Sequence, residues 1–422
     1  MELKHSLIGK TRILLLICGL AGTLIGVVGC GKTEDKKSLF ILSRLWSKPS
    51  EQLYIKREIF APFEKEKGIH IRMDVLEDTQ NLQRVEIQQK SKNYIADIII
   101  SHSGNMSQWI DYGYVESLNP IMKDWKNREI IPAFNKNTSK DGKTYFIPIA
   151  ADVYLLMANK KAMPYLPKGV DINDITWVQL VQWAKNIRKQ TGVGRFIVSG
   201  VQDQSFIYQI GACALSYGSS FPSINSDGAI KAWELFSDMA KSYTPSVINV
   251  SDCSLPMKRG EGWLTVMINA AVADVFASNQ TKYVVAAMPK GPKGRGMIAA
   301  ANGIGIITHS KHPELAREFV EYITRPEVLA KIARGPGGFI PPMEETMKYL
   351  NDAGQDEVTR QAIAQLNKDS IISGVPGDKY QSWSAVKLVF DNIFKLYILK
   401  DKEITKAVLD KGEEQLNELK IK

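Results

Sequence analysis

Leu39-Phe40-Ile41-Leu42-Ser43, His70-Ile71-Arg72-Met73-Asp74-Val75 and Ala96-Asp97-Ile98-Ile99-Ile100 are three short segments whose order along the chain decides the fold. The first is apolar and reads as a strand, the second alternates Ile71, Met73 and Val75, and the third reads as a buried strand. Between the first two, Phe60, Phe63 and Glu64 belong to a helix that stops at Gly68, a natural C-terminal cap. A polar helix is expected near Asn81 to Lys90, and another from Asn105 to Tyr112, ending at Gly113. Strand, helix, strand, helix in this order predicts an α/β fold built on a parallel sheet.

Working outward, Thr176-Trp177 opens a helix running to about Gln190, Ser226 or Asp227 caps one through Trp233 and Phe236, and Pro313 starts one containing Phe319 and Tyr322. The stretch from Trp383 to Leu419 is helical by period. No internal repeat or low-complexity segment interrupts the pattern. Single cores stop growing near about 250 to 300 residues, so a chain of 422 residues predicts two lobes.

The amino terminus reads as an export signal. Lys4, Lys10 and Arg12 precede an uncharged run from Ile13 to Val28, too short for a membrane span of about 20 apolar residues. Val27-Val28-Gly29-Cys30 resembles the lipobox of bacterial lipoproteins, which implies cleavage after residue 29 and lipidation of Cys30. Several acyl chains on one residue anchor a protein stably, each buried CH2 contributing roughly 0.8 kcal/mol. Thr33 to Lys37 reads as a short tether. Gly26, Gly31, Lys32 and Thr33 fit the spacing of a phosphate-binding loop, but the match straddles the cleavage site instead of joining a strand to a helix, and is accidental.

The net charge of +9 falls to +7 when residues 1–29, with Lys4, Lys10, Arg12 and Glu2, are removed. That excess is dispersed, without a basic stripe interleaved with aromatics, and gives nucleic-acid binding no support. Beyond Cys30 only Cys213 and Cys253 remain, and they are either one disulfide or two buried thiols. The five histidines are scattered, with no metal-ligand spacing.

Several stretches resemble extracellular solute-binding protein family 1, the maltose-binding-protein-like binding lipoproteins of ABC importers. They are Ala96 to Ile100 followed by Gly113-Tyr114-Val115-Glu116-Ser117-Leu118, then Gly142 to Pro148 continuing to Asn159-Lys160, then Thr176-Trp177 and Met288-Pro289-Lys290-Gly291-Pro292. Gly303 to Ile307, Ser310-Lys311-His312 and Ala316 to Val320 complete the series. Each piece is short; their common order over most of the chain carries the resemblance. It implies a two-lobe periplasmic-binding-protein-like fold with interlobe hinge crossings, closing over a small molecule, with no cofactor and no catalysis expected. On this reading one lobe takes residues 38–147 and about 288–340, and the other 148–287 and about 341–422. The implied partners are a sugar ligand, the permease subunits of the importer and, through Cys30, a membrane; the protein is expected to be monomeric and extracytoplasmic.

A sugar offers hydroxyls and two weakly apolar faces, so its sites combine carboxylates or amides with flat aromatic side chains, placed at strand C-termini and hinge loops. Asp152 occupies the position of a ligand-binding acidic residue in the resemblance, and Trp383 that of a stacking tryptophan. Trp46 and Lys48 follow the first strand, with core packing as the other reading of Trp46. His102 and Asn105 follow the third strand, where the family's acidic residue is not obvious. Tyr208 is a ring from the second lobe, or a helix core residue. Trp263 reads as packing, and Val272 stands where an aromatic would be sought; a cleft with fewer stacking platforms suits a shorter sugar. Tyr154 and Tyr208 with Asp152 leave iron chelation open, beside polyamine or organic-anion binding. An exported glycoside-acting enzyme is the remaining alternative, although no Gly-x-Ser-x-Gly or His-Glu-x-x-His motif occurs.

Overall fold

The computed structural model describes residues 38–420 apart from 127, 136, 199–200, 202–203, 205, 251–252, 299, 352–353, 369–370, 375–378 and 381. The export signal, Cys30, the tether and the loop-like match at Gly26 to Thr33 therefore lie outside the described residues. The chain lays down β1 (Ser38–Ser43), β2 (His70–Val75), β3 (Ile98–His102) and β4 (Ile147–Asp152), then passes through Val153 into β5 (Tyr154–Asn159). There follow β6 (Phe196–Ile197), β7 (Leu264–Ile268), β8 (Tyr283–Ala286), β9 (Arg295–Ile298), β10 (Ala300–Ile306) and β11 (Ile371–Gly374).

The first lobe holds a five-stranded sheet in the order β2-β1-β3-β10-β4. Its first three strands are parallel, with Ile41 opposite Ile98 and Leu39 opposite Ile71. The expected parallel sheet is thus only partly realised: β10 returns from the far end of the chain and runs antiparallel to both β3 and β4. Pro148 is accommodated on the edge strand beside a bulge at Asn302/Gly303, where its missing N–H breaks no regular ladder. Residues 49–67 are helical throughout, with a π turn at Lys56–Phe60. Pro62 cannot donate to the carbonyl of Glu58, and the ladder instead closes one residue wider, Ala61 N–H meeting the carbonyl of Lys56. The helix ends at Gly68, whose φ of 65° only glycine adopts without strain. Phe60 and Phe63 pack edge-on against Phe319 of the helix Pro313–Ile323, at 5.7 and 5.2 Å between centroids, and cover one face of the sheet.

The second lobe has a four-stranded sheet, β8-β5-β7-β6, and a parallel pair of β9 with β11. Its core gathers Phe206, Trp233, Phe236, Phe390 and Phe394 from three helices, with Phe206 and Phe394 only 4.1 Å apart. Cys213 and Cys253 are both buried and unbridged. The helix Trp177–Thr191 begins as its sequence predicts: Thr176 Oγ1 accepts from Gln179 N–H at 3.2 Å, and Gln179 Oε1 accepts from Thr176 N–H at 2.9 Å. The C-terminal stretch is not one helix. It divides into Trp383–Leu396 and Lys406–Glu418, because Asp401 turns left-handed at φ 53° and Lys402 N–H closes on the carbonyl of Tyr397.

The crossings lie later in the chain than the expected lobe boundaries. Ile147–Asp152 completes the first sheet, so the chain leaves that lobe at Val153 and not at 148. Arg295–Ile298 pairs with Ile371–Gly374, so the return comes at about 299 and not at 288. Two buried amides brace the first crossing and the strand that follows it. Asn269 accepts from Val153 N–H at 2.7 Å and donates to the carbonyl of Gly338 at 2.6 Å, while Gln365 accepts from Met288 N–H and donates to the carbonyl of Tyr154, both at 3.0 Å. Ile340 and Ala151 exchange both backbone hydrogen bonds at 2.8 Å.

Candidate functional site in the interlobe cleft

Four of the eight residues expected from sequence, His102, Asn105, Tyr208 and Trp383, line one cleft of about 870 Å³. The first-lobe wall comes from the C-terminal ends of its parallel strands: Arg44 after β1, Glu77 and Asp78 after β2, and His102 to Asn105 at the end of β3. Parallel neighbours end on the same edge of a sheet, which is why Arg44 and His102, 58 positions apart, meet there. The opposite wall comes from Tyr208, in the first turn of the helix Phe206–Ser216, and from Tyr380, Ser382 and Trp383 at the start of the helix Trp383–Leu396.

Asp78 organises the first wall. One carboxylate oxygen accepts from Ser101 Oγ at 2.8 Å, the other from Asn105 Nδ2 at 2.9 Å and from His102 N–H at 3.4 Å, and Arg44 Nε lies 3.7 Å away. Trp109 Nε1 in turn donates to Ser101 Oγ at 3.1 Å. Burial raises the Asp78 pKa above its ordinary value, against the pull of Arg44 and of these donors. Asp78 therefore brings a carboxylate to the end of the third strand from the strand before it, a residue that the sequence reading did not single out.

On the opposite wall Trp383 Nε1 donates to Tyr208 Oη at 3.0 Å, and the two rings lie 6.4 Å apart, tilted by 30°. Phe221 meets Trp383 edge-on at 5.8 Å. Ser382 Oγ accepts from Ala385 N–H at 3.2 Å and fixes the helix start that presents the indole. The pair forms a half-buried aromatic platform facing a wall of polar groups.

The other four expected residues lie outside that lining. Asp152 ends β4 at the first crossing, opposite Ala300, and burial pushes its pKa up to about 6 against the attraction of Arg44, with Glu51 adding to the rise. Among the described residues no hydrogen-bond donor meets its carboxylate. Tyr154 is 7% exposed and packs in the second-lobe core, 6.2 Å from Tyr208. Trp46 is 2% exposed; the chain turns there at φ 65°, and the indole packs edge-on against Phe60 in the first-lobe core. Lys48 is exposed at a helix start, 3.9 Å from Glu51. Of the set Tyr154, Tyr208 and Asp152, only Tyr208 lines the cleft. Trp263 stacks on Tyr165 at 6.3 Å under Arg195, as packing, and Val272 is buried.

A second hollow, about 600 Å³, lies on the first lobe alone and includes Trp125, Arg128 and Glu321. Two of its half-buried charges already satisfy each other, since Arg128 donates to both oxygens of Glu321 at 2.8 and 3.0 Å. The interlobe cleft is therefore the better ligand site. Among the described residues no group of three His, Cys, Asp or Glu side chains is disposed to hold a metal ion, and no helix is long and apolar enough to cross a membrane.

The sequence matches the family described as bacterial extracellular solute-binding protein over residues 47–330. A candidate binding protein of Brucella abortus (strain 2308) is 27% identical over 278 residues, a match covering 61% of this chain and 66% of that protein, just under two thirds of its length. The fold is similar to that of the sugar-binding protein MalE from Xanthomonas citri, with a TM-score of 0.73 and 17% identity over 91% of this chain and 97% of that one. It is also similar to the cyclic α-maltosyl-1,6-maltose binding protein from Arthrobacter globiformis, at 0.70 and 15% over 91% and 99%. An ABC transporter solute-binding protein from Agrobacterium vitis with bound D-mannitol matches at 0.65 and 16% over 90% and 97%. These likenesses establish the two-lobe fold.

Proposed function

Because the chain belongs to the bacterial extracellular solute-binding protein family, we propose that it captures a sugar or short oligosaccharide outside the cytoplasm for an ABC importer. The observation that carries this reading is the make-up of the cleft: Tyr208 and Trp383 on one lobe face Arg44, Asp78, His102 and Asn105 on the other. A sugar presents an apolar ring face to the platform and hydroxyls to the polar wall, and so bridges the lobes. A ligand that touches both walls stabilises the closed arrangement by its differential affinity for it, and the permease reads closure as occupancy. The sugars named for the proteins from Xanthomonas citri and Arthrobacter globiformis, and the D-mannitol bound by the one from Agrobacterium vitis, support the same class or its polyol relatives.

Each residue has a role in this reading. Trp383 and Tyr208 stack on the sugar; His102 and Asn105 bond its hydroxyls; Asp152, at the crossing, accepts hydrogen bonds from hydroxyls once the lobes close. Cys30 carries the lipid that holds the protein, as a monomer, to the outer face of a membrane. A thermal-shift screen of mono- and oligosaccharides, uronates, polyamines and chelated iron tests the substrate class, because a ligand that binds only the folded state raises the melting temperature. A sugar hit abolished by Trp383→Ala supports the reading. A hit confined to polyamine or iron overturns it, and slow turnover of a bound oligosaccharide would make the protein an enzyme.

A further inference from the structure

The first-lobe wall has a hydrogen-bond polarity that narrows the ligand, if the cleft is the ligand site proposed above. Asp78 is the obvious acceptor there, yet both of its oxygens already accept within the wall, from Ser101 on one side and from Asn105 and the His102 backbone on the other, which reduces what it can offer a ligand. Arg44 contributes only donors. His102 Nδ1 accepts from Gly104 N–H at 3.1 Å, so the neutral ring carries its proton on Nε2. Burial, aided by Arg44, pushes the His102 pKa down to about 3, and the ring does not gain a second proton near neutral pH. The exposed carboxylates at the rim are engaged as well: Glu77 lies 4.0 Å from Arg44, and Asp111 lies 2.7 Å from Lys140.

We propose that His102 is a specificity-determining residue whose Nε2–H donates to an acceptor oxygen of the ligand, selecting a hydroxyl or ether oxygen there over an ammonium group. A hydroxyl has lone pairs to offer this donor, whereas a protonated amine has none. At this position an ammonium group meets a donor that it cannot engage, while the hydroxyl oxygens of sugars and polyols accept from it.

The test joins a spectrum to a titration. Two-bond ¹H–¹⁵N correlations on the histidine-labelled protein are expected to show His102 protonated on Nε2 alone. In calorimetry with glucose, maltose, maltotriose, mannitol and spermidine, His102→Phe is expected to weaken the tightest-binding sugar by about tenfold or more. His102→Gln, which restores an N–H donor, should recover most of that loss, and spermidine should give no binding heat. A proton on Nδ1, a His102→Phe variant that binds sugar like the parent, or spermidine competing with sugar would overturn the assignment. Absence of sugar binding by the unsubstituted protein would instead sink the functional reading, and the spectrum would still decide the polarity of His102.

Discussion

Asp152→Asn is expected to stabilise the fold and weaken the binder. In the folded protein this carboxyl is pushed from 3.8 up to about 6, mainly by burial, so its ionised form is held at a cost. The sign follows from linkage. Between about pH 4 and pH 6 the folded state keeps a proton that the unfolded state has released, so stability is highest below the lower value and declines as pH rises through the upper one. At 1.36 kcal/mol per unit the full shift corresponds to about 3 kcal/mol, and partial exposure of the side chain reduces this to about 1–2 kcal/mol. Asparagine keeps the shape and removes the charge. Calorimetry should find the variant melting a few degrees above the parent at about pH 8, with the two converging at about pH 4. Sugar affinity should fall by about tenfold, because one carboxylate acceptor is replaced by an amide donor. A variant that melts at or below the parent at about pH 8 would refute the reasoning, since the carboxylate would then be stabilised by the fold.

Trp383→Ala removes a stacking face and the hydrogen bond to Tyr208; sugar affinity measured by calorimetry should fall by about ten- to a hundredfold, with little change in melting because the side chain is half-buried. Asn269→Ala strands the Val153 N–H and the Gly338 carbonyl at the hinge, and urea unfolding should show a loss of about 2–4 kcal/mol. Cys30→Ser should move the protein from the membrane fraction to the soluble one and abolish labelling by radioactive fatty acid.

The local order of strands and helices in residues 38–113 was legible because each element carries its own signal: Ile98 to Ile100 are buried, Gly68 caps a helix in the left-handed region, and Asp78–Ser91 forms the polar helix expected there. Partners distant in sequence were not legible. That β10 inserts between β3 and β4 and reverses the sheet's direction depends on a pairing across about 200 residues, which no local pattern specifies. The break at Asp401 was hidden for a different reason, since neither glycine nor proline marks it, and Thr405 before the last helix was the remaining sign.

The site divides in the same way. His102 and Asn105 follow a strand recognisable from its own residues, and they line the cleft. Trp46 follows one too, but a single residue turning at positive φ sends its indole into the core, and side-chain direction after a strand is not written in the strand. Tyr208 and Phe206 are two residues apart on one helix; Phe206 is fully buried and Tyr208 faces the cleft, a distinction set by the opposing helix that brings Trp383.

The distance between the lobes tests the central claim most directly. Ile87 on the first lobe and Leu388 on the second are exposed, and the two described native thiols are buried, so cysteines placed at these sites accept spin labels selectively. Pulsed electron resonance of the labelled protein should give a shorter Ile87–Leu388 label distance when a binding sugar from the panel is added, and no change with spermidine. A sugar that binds while the distance stays as it was would contradict capture by lobe closure.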